Sequence, residues 1–169
     1  LEKYHCMIRS KSFLTFDAAR VPSPCFVVDE VAVRQNLKIL AQVQQASGAK
    51  VLLALKAFSM FSLAPLISHY LSGTCSSGLY ETRLGHEEFG GEIHTYSAAY
   101  TEADLTEILQ ISNHVVFNSL NQWQRFQSLI QRARTRRPEL QFGLRINPLH
   151  SEGATPIYDP CAPGSRLGI

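Results

Sequence analysis

Polar side chains that could do chemistry follow nearly every short apolar run of this chain. The sharpest candidate is Lys56, which comes directly after the apolar residues 51–55. The others in the same kind of position are Ser76, Ser77, His94, Ser97, Asn118 and Asn147. Because ligands of α/β proteins bind at the carboxyl ends of parallel strands, we expect these side chains to share one site.

A lysine that ends a buried strand projects into the mouth of the sheet. Loss of water there disfavours the charged form, so we expect the pKa of Lys56 to be lowered. The neutral amine is the form that attacks a carbonyl group to make a Schiff base. Most lysines instead extend their charged end into solvent. Position alone therefore leaves a surface role for Lys56 open.

Two groups after the second apolar run could assist a ligand. Ser77 lies between Ser76 and Gly78 and offers a hydroxyl to an anionic group, although the same triplet is typical of a plain turn. Glu81 could pair with an amine, or it could occupy the first turn of a helix, where a negative charge is favourable.

His94, Arg145 and Arg166 are further candidates. His94 could stack on a ring or pack in the core, and each arginine could bind a carboxylate or make an internal ion pair. The four cysteines and six histidines are scattered without any zinc-binding spacing, so we predict no metal site. Cys75 has no neighbouring histidine, and we expect it to be inert.

Alternating strands and helices must position these residues. The predicted strands cover residues 51–55, 73–76, 92–97, 114–117 and 141–146, and the predicted helices cover about 31–46, 80–89, a stretch from 101, and 120–135. This alternation predicts an α/β fold with a parallel sheet, either doubly wound or a (β/α)₈ barrel. The first strand is not followed by G-x-G-x-x-G, which disfavours the dinucleotide-binding version.

The strand count indicates an incomplete barrel. A complete barrel takes about 250 residues, whereas this chain of 169 residues holds five predicted strands and a sixth that begins near 165–169. We therefore expect a part of a longer protein. The stretch 149–164, rich in proline and glycine, predicts a long loop on the carboxyl side of the strands, where loops are often functional.

Composition argues against several classes of protein. Hydrophobic residues make up 45% and charged residues 18%, a globular balance, and a net charge of +2 argues against nucleic acid. The one basic cluster, within 132–137, ends a predicted helix, where cations are favourable. No apolar run approaches the ~18 residues of a membrane helix, and no signal peptide is evident. The scattered cysteines fit a reducing, cytoplasmic location.

Seven segments, taken in order, resemble one enzyme family. They are 54–59 (ALKAFS), 73–78 (GTCSSG), 85–92 (GHEEFGGE), 94–97 (HTYS), 117–119 (FNS), 144–148 (LRINP) and 165–168 (SRLG). The first resembles the cofactor-lysine strand of the fold-type III pyridoxal-phosphate (PLP) enzymes. The whole set is most similar to the carboxynorspermidine (carboxyspermidine) decarboxylase family, and the resemblance extends from about Pro24 to the end of the chain.

The resemblance implies the N-terminal part of a PLP-binding TIM barrel over residues 24–169, preceded by an extension at 1–23. It implies that Lys56 holds the cofactor, that Ser77 and Glu81 are an active-site serine and glutamate, and that Arg166 lies near the cofactor ring. The expected reaction is decarboxylation of carboxynorspermidine or carboxyspermidine in polyamine biosynthesis. The expected protein is a cytoplasmic homodimer that binds neither nucleic acid nor membrane.

Some parts of the family's site have no counterpart in these segments. They are the phosphate-holding glycine loop, the ring-stacking histidine, the acidic partner of the pyridine nitrogen and the C-terminal β-domain. We therefore expect the 169-residue chain alone to be inactive. Another fold-type III enzyme, such as diaminopimelate decarboxylase or an amino-acid racemase, and a non-catalytic PLP-binding protein are the alternatives.

Overall fold

A single parallel sheet organises the chain in a computed structural model that describes residues 16–153, 155 and 158–169. All four strand pairings are parallel, and the strands lie in the sheet in the order of the sequence. They are β1 (Leu52–Ala54), β2 (Gly73–Ser76), β3 (Glu92–Tyr96), β4 (His114–Phe117) and β5 (Gln141–Leu144). The prediction of a parallel α/β fold is confirmed.

Helices connect the strands, as the sequence predicts. They are α1 (Glu30–Ser47), α2 (Ala64–Ser68), α3 (Leu79–Leu84), α4 (Glu102–Ile111), α5 (Leu120–Arg125) and α6 (Gln127–Arg136). A short 3₁₀ turn, Ala18–Arg20, lies in the predicted extension, of which residues 1–15 are outside the described part. None of the described helices is both long enough and apolar enough to cross a membrane.

Local capping fixes the ends of α1 and α4. The Asp29 carboxylate accepts hydrogen bonds from the amides of Val31 and Ala32 at the start of α1. Gly48 ends α1 with a φ of 72°, a left-handed conformation that glycine adopts without steric cost. The Thr101 hydroxyl accepts from the Asp104 amide at the start of α4 and so caps the helix that was predicted from residue 101.

The predicted helix 80–89 is found in two parts, and two other helical stretches differ from the prediction. The helix after β2 ends in a wide turn, Gly85–Phe89, closed by a bond of 2.9 Å from the Gly90 amide to the Gly85 carbonyl, and this turn buries Phe89. The predicted helix 120–135 is broken at Phe126, whose ring is buried in the core. The short helix α2, with Pro65 in its first turn, was not predicted.

The hydrophobic core lies between the helices and one face of the sheet, which we call the outer face. One cluster joins α4 and α6 to Val115 and Phe117 of β4, and a second joins α1 and α2 to Leu55 after β1. The other face, called here the inner face, carries the exposed Cys75 and several half-buried polar residues.

This layering distinguishes the two predicted architectures. A doubly wound sheet reverses its strand order and has helices on both faces, whereas a barrel keeps sequence order and has helices outside only. The described sheet does not reverse, and both clusters lie on its outer face. The structure is therefore part of a (β/α)₈ barrel, and the inner face corresponds to the barrel interior.

Candidate active site

Strand register arranges the inner face in rows that cross the sheet. One row consists of Ala54, Cys75, His94, His114 and Gln141, each paired with the next. Because side chains alternate between faces, the inner residues of the next row lie two positions further along each strand. That next row is at the carboxyl edge.

The second row brings together the residues of greatest chemical interest. Tyr96, Val116 and Gly143 are paired across β3, β4 and β5. At the same edge, Ser77 follows the last residue of β2, and Lys56 lies in the turn that follows β1. We call this carboxyl edge, together with Asn118 and Arg145 one step beyond it, the mouth.

Lys56 lies in the mouth but not as a buried strand residue. β1 ends at Ala54, and a turn closed by a 3.0 Å bond from the Ala57 amide to the Ala54 carbonyl carries the lysine. Lys56 is exposed. The expected desolvation of this amine is therefore not found in the described chain, and the prediction that the strand runs to residue 55 is wrong.

Ser77 and Glu81 are held together at the start of α3. The Ser77 amide donates to the Glu81 carboxylate over 2.7 Å. Although Cys75 as a residue is exposed, partial loss of water around its thiol raises the pKa of that group, Lys56 opposes the shift, and Glu81 adds to it. Lys56 and Glu81 therefore both lie within electrostatic range of Cys75. Ser76 was a candidate, but its hydroxyl is buried on the outer face, away from the mouth.

A polar network crosses the mouth from β3 to β5. The Tyr96 hydroxyl donates to the Asn118 side-chain oxygen over 2.7 Å, and the Arg145 guanidinium lies 4.8 Å from the centre of the Tyr96 ring. Sequence reasoning missed Tyr96, although its position two residues after His94 on the same strand places it on the same face. Arg145 has no ion-pair partner among the residues that the structure describes.

Arg166 reaches the mouth through its backbone. Its carbonyl accepts from the Asn118 amide group over 2.8 Å, while its side chain is exposed. Two other candidates are engaged locally. The Ser97 hydroxyl donates to the Ala99 carbonyl, and the Asn147 side chain accepts from the Leu149 amide.

At the opposite end of the inner face, Glu92, His94 and His114 form what we call the base cluster. Their ligand atoms lie within 4.8 Å of one another, a spacing that could hold a metal ion and that the sequence did not reveal. The two histidine rings are stacked, with centroids 3.9 Å apart and planes 27° apart.

The geometry of the base cluster is better suited to mutual packing than to metal binding. Imidazole lone pairs lie in the ring plane, so stacked rings do not direct them to one point. The Glu92 carboxylate also pairs with Lys50 and lies 3.2 Å from His94 Nε2. His94 is thus a packed, partnered histidine.

Comparisons with known proteins fit this geometry. The chain is 42% identical over 149 residues to carboxyaminopropylagmatine decarboxylase of Synechocystis and 42% over 148 residues to carboxynorspermidine/carboxyspermidine decarboxylase of Herminiimonas arsenicoxydans. Each alignment covers 88% of this chain, and the chain spans only 37% and 39% of those relatives. No family model matches.

Solved structures show the same architecture. Carboxynorspermidine decarboxylase of Campylobacter jejuni, in complex with norspermidine, is 39% identical, with a TM-score of 0.73 over 88% of this chain and 36% of that one. Diaminopimelate decarboxylase of Helicobacter pylori, in complex with L-lysine, has a TM-score of 0.64 over 80% of this chain and 35% of that one. At 18% identity it shows the fold alone.

The fold and these matches show that the chain is similar to the barrel part of fold-type III decarboxylases. Within that class, the chain is a homologue of the carboxynorspermidine/carboxyspermidine decarboxylases, as the sequence motifs predict.

Proposed function

We propose that the protein containing this chain decarboxylates carboxynorspermidine or carboxyspermidine, with PLP held by Lys56. The observation that carries the proposal is the position of Lys56 just after the carboxyl end of β1, within electrostatic range of Cys75 on the inner face. That end of the strands is where barrel enzymes place their sites. The sequence resemblance supports the same assignment.

The mouth fits a ligand that carries an aldehyde and an anionic group. Lys56 supplies an accessible primary amine for the aldehyde. Arg145, held against the Tyr96 ring, supplies a guanidinium for a phosphate or a carboxylate. Arg166, whose backbone is fixed at the same edge, supplies a second cation.

Bound PLP would supply an electron sink for the pair released when the bond to the carboxylate carbon breaks and carbon dioxide leaves. This chain's residues would do the positioning. Lys56 would anchor the cofactor covalently, and Arg145 would orient an anionic group. Glu81 would hold the Ser77 segment at the edge through the Ser77 amide. Ser77 would then offer its hydroxyl to the cofactor.

The substrate choice has a second candidate. The Synechocystis relative is named for carboxyaminopropylagmatine, which differs from the carboxylated polyamines away from the carboxylated end. A site that binds the carboxylated end alone would accept all of these compounds. We propose carboxynorspermidine and carboxyspermidine as the substrates and carboxyaminopropylagmatine as the alternative.

Three further features belong to the same proposal. The protein would act as a homodimer in the cytoplasm, in polyamine biosynthesis. Residues 24–169 would form the barrel part, and 1–23 an extension. Binding of nucleic acid or membrane would not be part of its function.

Covalent trapping of the cofactor tests the central assignment. The chain, and the longer protein that contains it, would be mixed with PLP and reduced with borohydride, and the pyridoxyl adduct would be located by peptide mass. We expect one selective adduct on the Lys56 peptide, which disappears completely in Lys56→Ala. Lys50→Ala is the matched control, because Lys50 lies at the other end of the sheet and pairs with Glu92.

Two outcomes would contradict the assignment. One is an adduct in the longer protein that persists in Lys56→Ala. The other is an adduct that Lys50→Ala removes equally. Release of carbon dioxide from carboxynorspermidine, carboxyspermidine, carboxyaminopropylagmatine and diaminopimelate by the longer protein would then rank the substrates. Turnover of diaminopimelate alone would replace the proposed reaction with that of the other decarboxylase class.

A further inference from the structure

Asn118 is the residue at which four segments of the mouth meet. Its side-chain oxygen accepts from the Tyr96 hydroxyl over 2.7 Å and from the Gly168 amide over 2.8 Å. Its side-chain nitrogen donates to the Arg166 carbonyl over 2.8 Å. Its own backbone amide donates to the Gln122 side chain at the start of α5. Asn118 thus joins β3, β4, α5 and the segment 166–168.

The segment 166–168 is built to fit against this residue. Gly168 has a φ of 86°, and a Cβ there would lie 2.9 Å from the Asn147 nitrogen and 3.0 Å from the Arg145 carbonyl. The next residue, Ile169, donates to the Arg145 carbonyl and accepts from the Asn147 amide, which is the pattern of a parallel strand pair with β5. The described residues form no strand at the predicted sixth position near 165–169, although these two bonds lie there.

We propose that Asn118 is a positioning residue, which fixes the 166–168 segment and the Tyr96–Arg145 pair so that both arginines face a bound anionic ligand. The inference rests on the proposed function for the identity of that ligand. Asn118 itself would touch no reacting atom. It acts through Tyr96, whose hydroxyl binds Asn118 while its ring supports Arg145.

The side-chain amide of Asn118 is required because its oxygen accepts two hydrogen bonds and its nitrogen donates a third. Alanine would remove all three side-chain bonds at once. Aspartate would keep an acceptor for Tyr96 and Gly168 but would place a negative oxygen against the Arg166 carbonyl. Leucine would have a similar volume and would lose all three side-chain hydrogen bonds, while the backbone bond to Gln122 would remain. The three variants therefore separate the loss of the hydrogen bonds from the loss of packing.

Amide exchange at Gly168 tests, without any cofactor, whether Asn118 fixes the 166–168 segment. In Asn118→Ala and Asn118→Leu, we expect the Gly168 amide to exchange about tenfold faster by NMR, which corresponds to one lost hydrogen bond. Asn118→Asp should keep Gly168 protected. Ser119→Ala is the matched control, because the Ser119 hydroxyl caps α5 through the Gln122 amide and makes no bond to Gly168.

Substrate kinetics test the functional half of the inference. In the longer protein, Asn118→Ala should raise the KM for the carboxylated polyamine about tenfold, the scale of one lost charge-assisted contact, while kcat changes less. Asn118→Asp should recover part of the loss. The pyridoxyl adduct should stay on Lys56 in every variant, since none of these bonds involves that residue.

The outcomes separate the inference from the function on which it rests. If the Gly168 amide of Asn118→Ala exchanges at a rate within twofold of that in the unaltered chain, Asn118 does not fix the 166–168 segment. Faster exchange with an unchanged KM would overturn the positioning role. An unaltered longer protein that decarboxylates none of the four compounds would instead overturn the proposed function, and the exchange result would still stand on its own.

Discussion

Both ends of the inner face carry charged and polar side chains, but these are paired with one another in the base cluster and the cations of the mouth are not. In the base cluster, the Glu92 carboxylate is engaged by Lys50 and His94, and the His114 ring bonds to Gln141. Neighbours take up the charge of Glu92 and most of the hydrogen-bonding capacity there, although His114 Nδ1 is buried without a hydrogen-bond partner among the described residues. The base cluster is therefore a structural feature of the sheet.

The mouth leaves its positive charges without internal partners. Lys56, Arg145 and Arg166 form no ion pair within the described part of the chain. The bonds that shape the mouth come from the neutral groups of Tyr96 and Asn118 and from the Glu81 carboxylate, which accepts from the Ser77 amide. The comparison teaches that one end of the barrel interior stabilises the sheet and the other keeps cations available for a ligand.

Tyr100 supports the mouth from the outer face, and its removal should have the largest effect on stability. Its buried hydroxyl accepts from the Ser97 amide and donates to the Val116 carbonyl, each over 3.0 Å. Tyr100→Phe would leave both groups unpaired and should lower the free energy of unfolding by about 1–3 kcal/mol in urea titrations. Tyr80→Phe, at an exposed position, is the control, and equal losses in both variants would contradict this role.

The base cluster should make the chain sensitive to acid. Burial lowers the pKa of His94 below its usual 6.5, and the charge of His114 acts in the same direction, although Glu92 opposes it. The unfolded chain then binds more protons than the folded one between the folded pKa and 6.5. Stability from neutral His94 is complete above pH 6.5 and is lost as the pH falls through the folded pKa.

Thermal melts measured across a range of pH would test the loss of stability expected from protonation of His94. The pKa of Glu92 is also lowered, by hydrogen bonds from Lys50 and His94, so its contribution is complete above about pH 4.5 and is lost on further acidification. We expect His94→Gln to flatten the upper part of the profile and to weaken the lower part, where Lys50 would remain as the partner of Glu92. His86→Gln, at an exposed site, should leave the whole profile unchanged. An unaltered profile in His94→Gln would remove this residue from the acid response.

Arg145 should give the smallest change in stability and still affect binding. Its contact with the Tyr96 ring contributes under about 1 kcal/mol at a half-exposed site. Arg145→Gln should nevertheless weaken PLP binding about tenfold, because it removes a charge-assisted hydrogen bond. Fluorescence titration would measure this, with the exposed helix residue Arg132 changed to glutamine as control. Similar affinities for PLP in the two variants would contradict the claim that the mouth keeps its cations available for a ligand.

Local signals in the sequence predicted most of the fold. The predicted helix 31–46 matches α1 to within a residue at each end, and the predicted strand 114–117 is β4. The break at Phe126 could not be predicted, because it depends on where a ring fits in the core after the strands have assembled.

The site was predicted less completely than the fold. Lys56, Ser77 and Asn118 follow strands and are visible as strand ends. The role of Tyr96 and the stacking of His94 on His114 depend on register between strands that are far apart in the sequence. Composition and spacing carry no information on that register. Arg166 reaches the mouth through backbone contacts that only the folded chain reveals.

The sequential strand order has a consequence for how the chain acquires its structure. Every strand pairs with the strand that precedes it, so each new strand–helix unit meets an edge that is already formed. Pairings between consecutive strands keep the sequence separation of contacts lower than in a parallel sheet whose strand order reverses, which limits the entropic cost of loop closure. During synthesis, the sheet can therefore grow outward from β1 one unit at a time, and the mouth is completed only when the segment that bonds to Asn118 arrives.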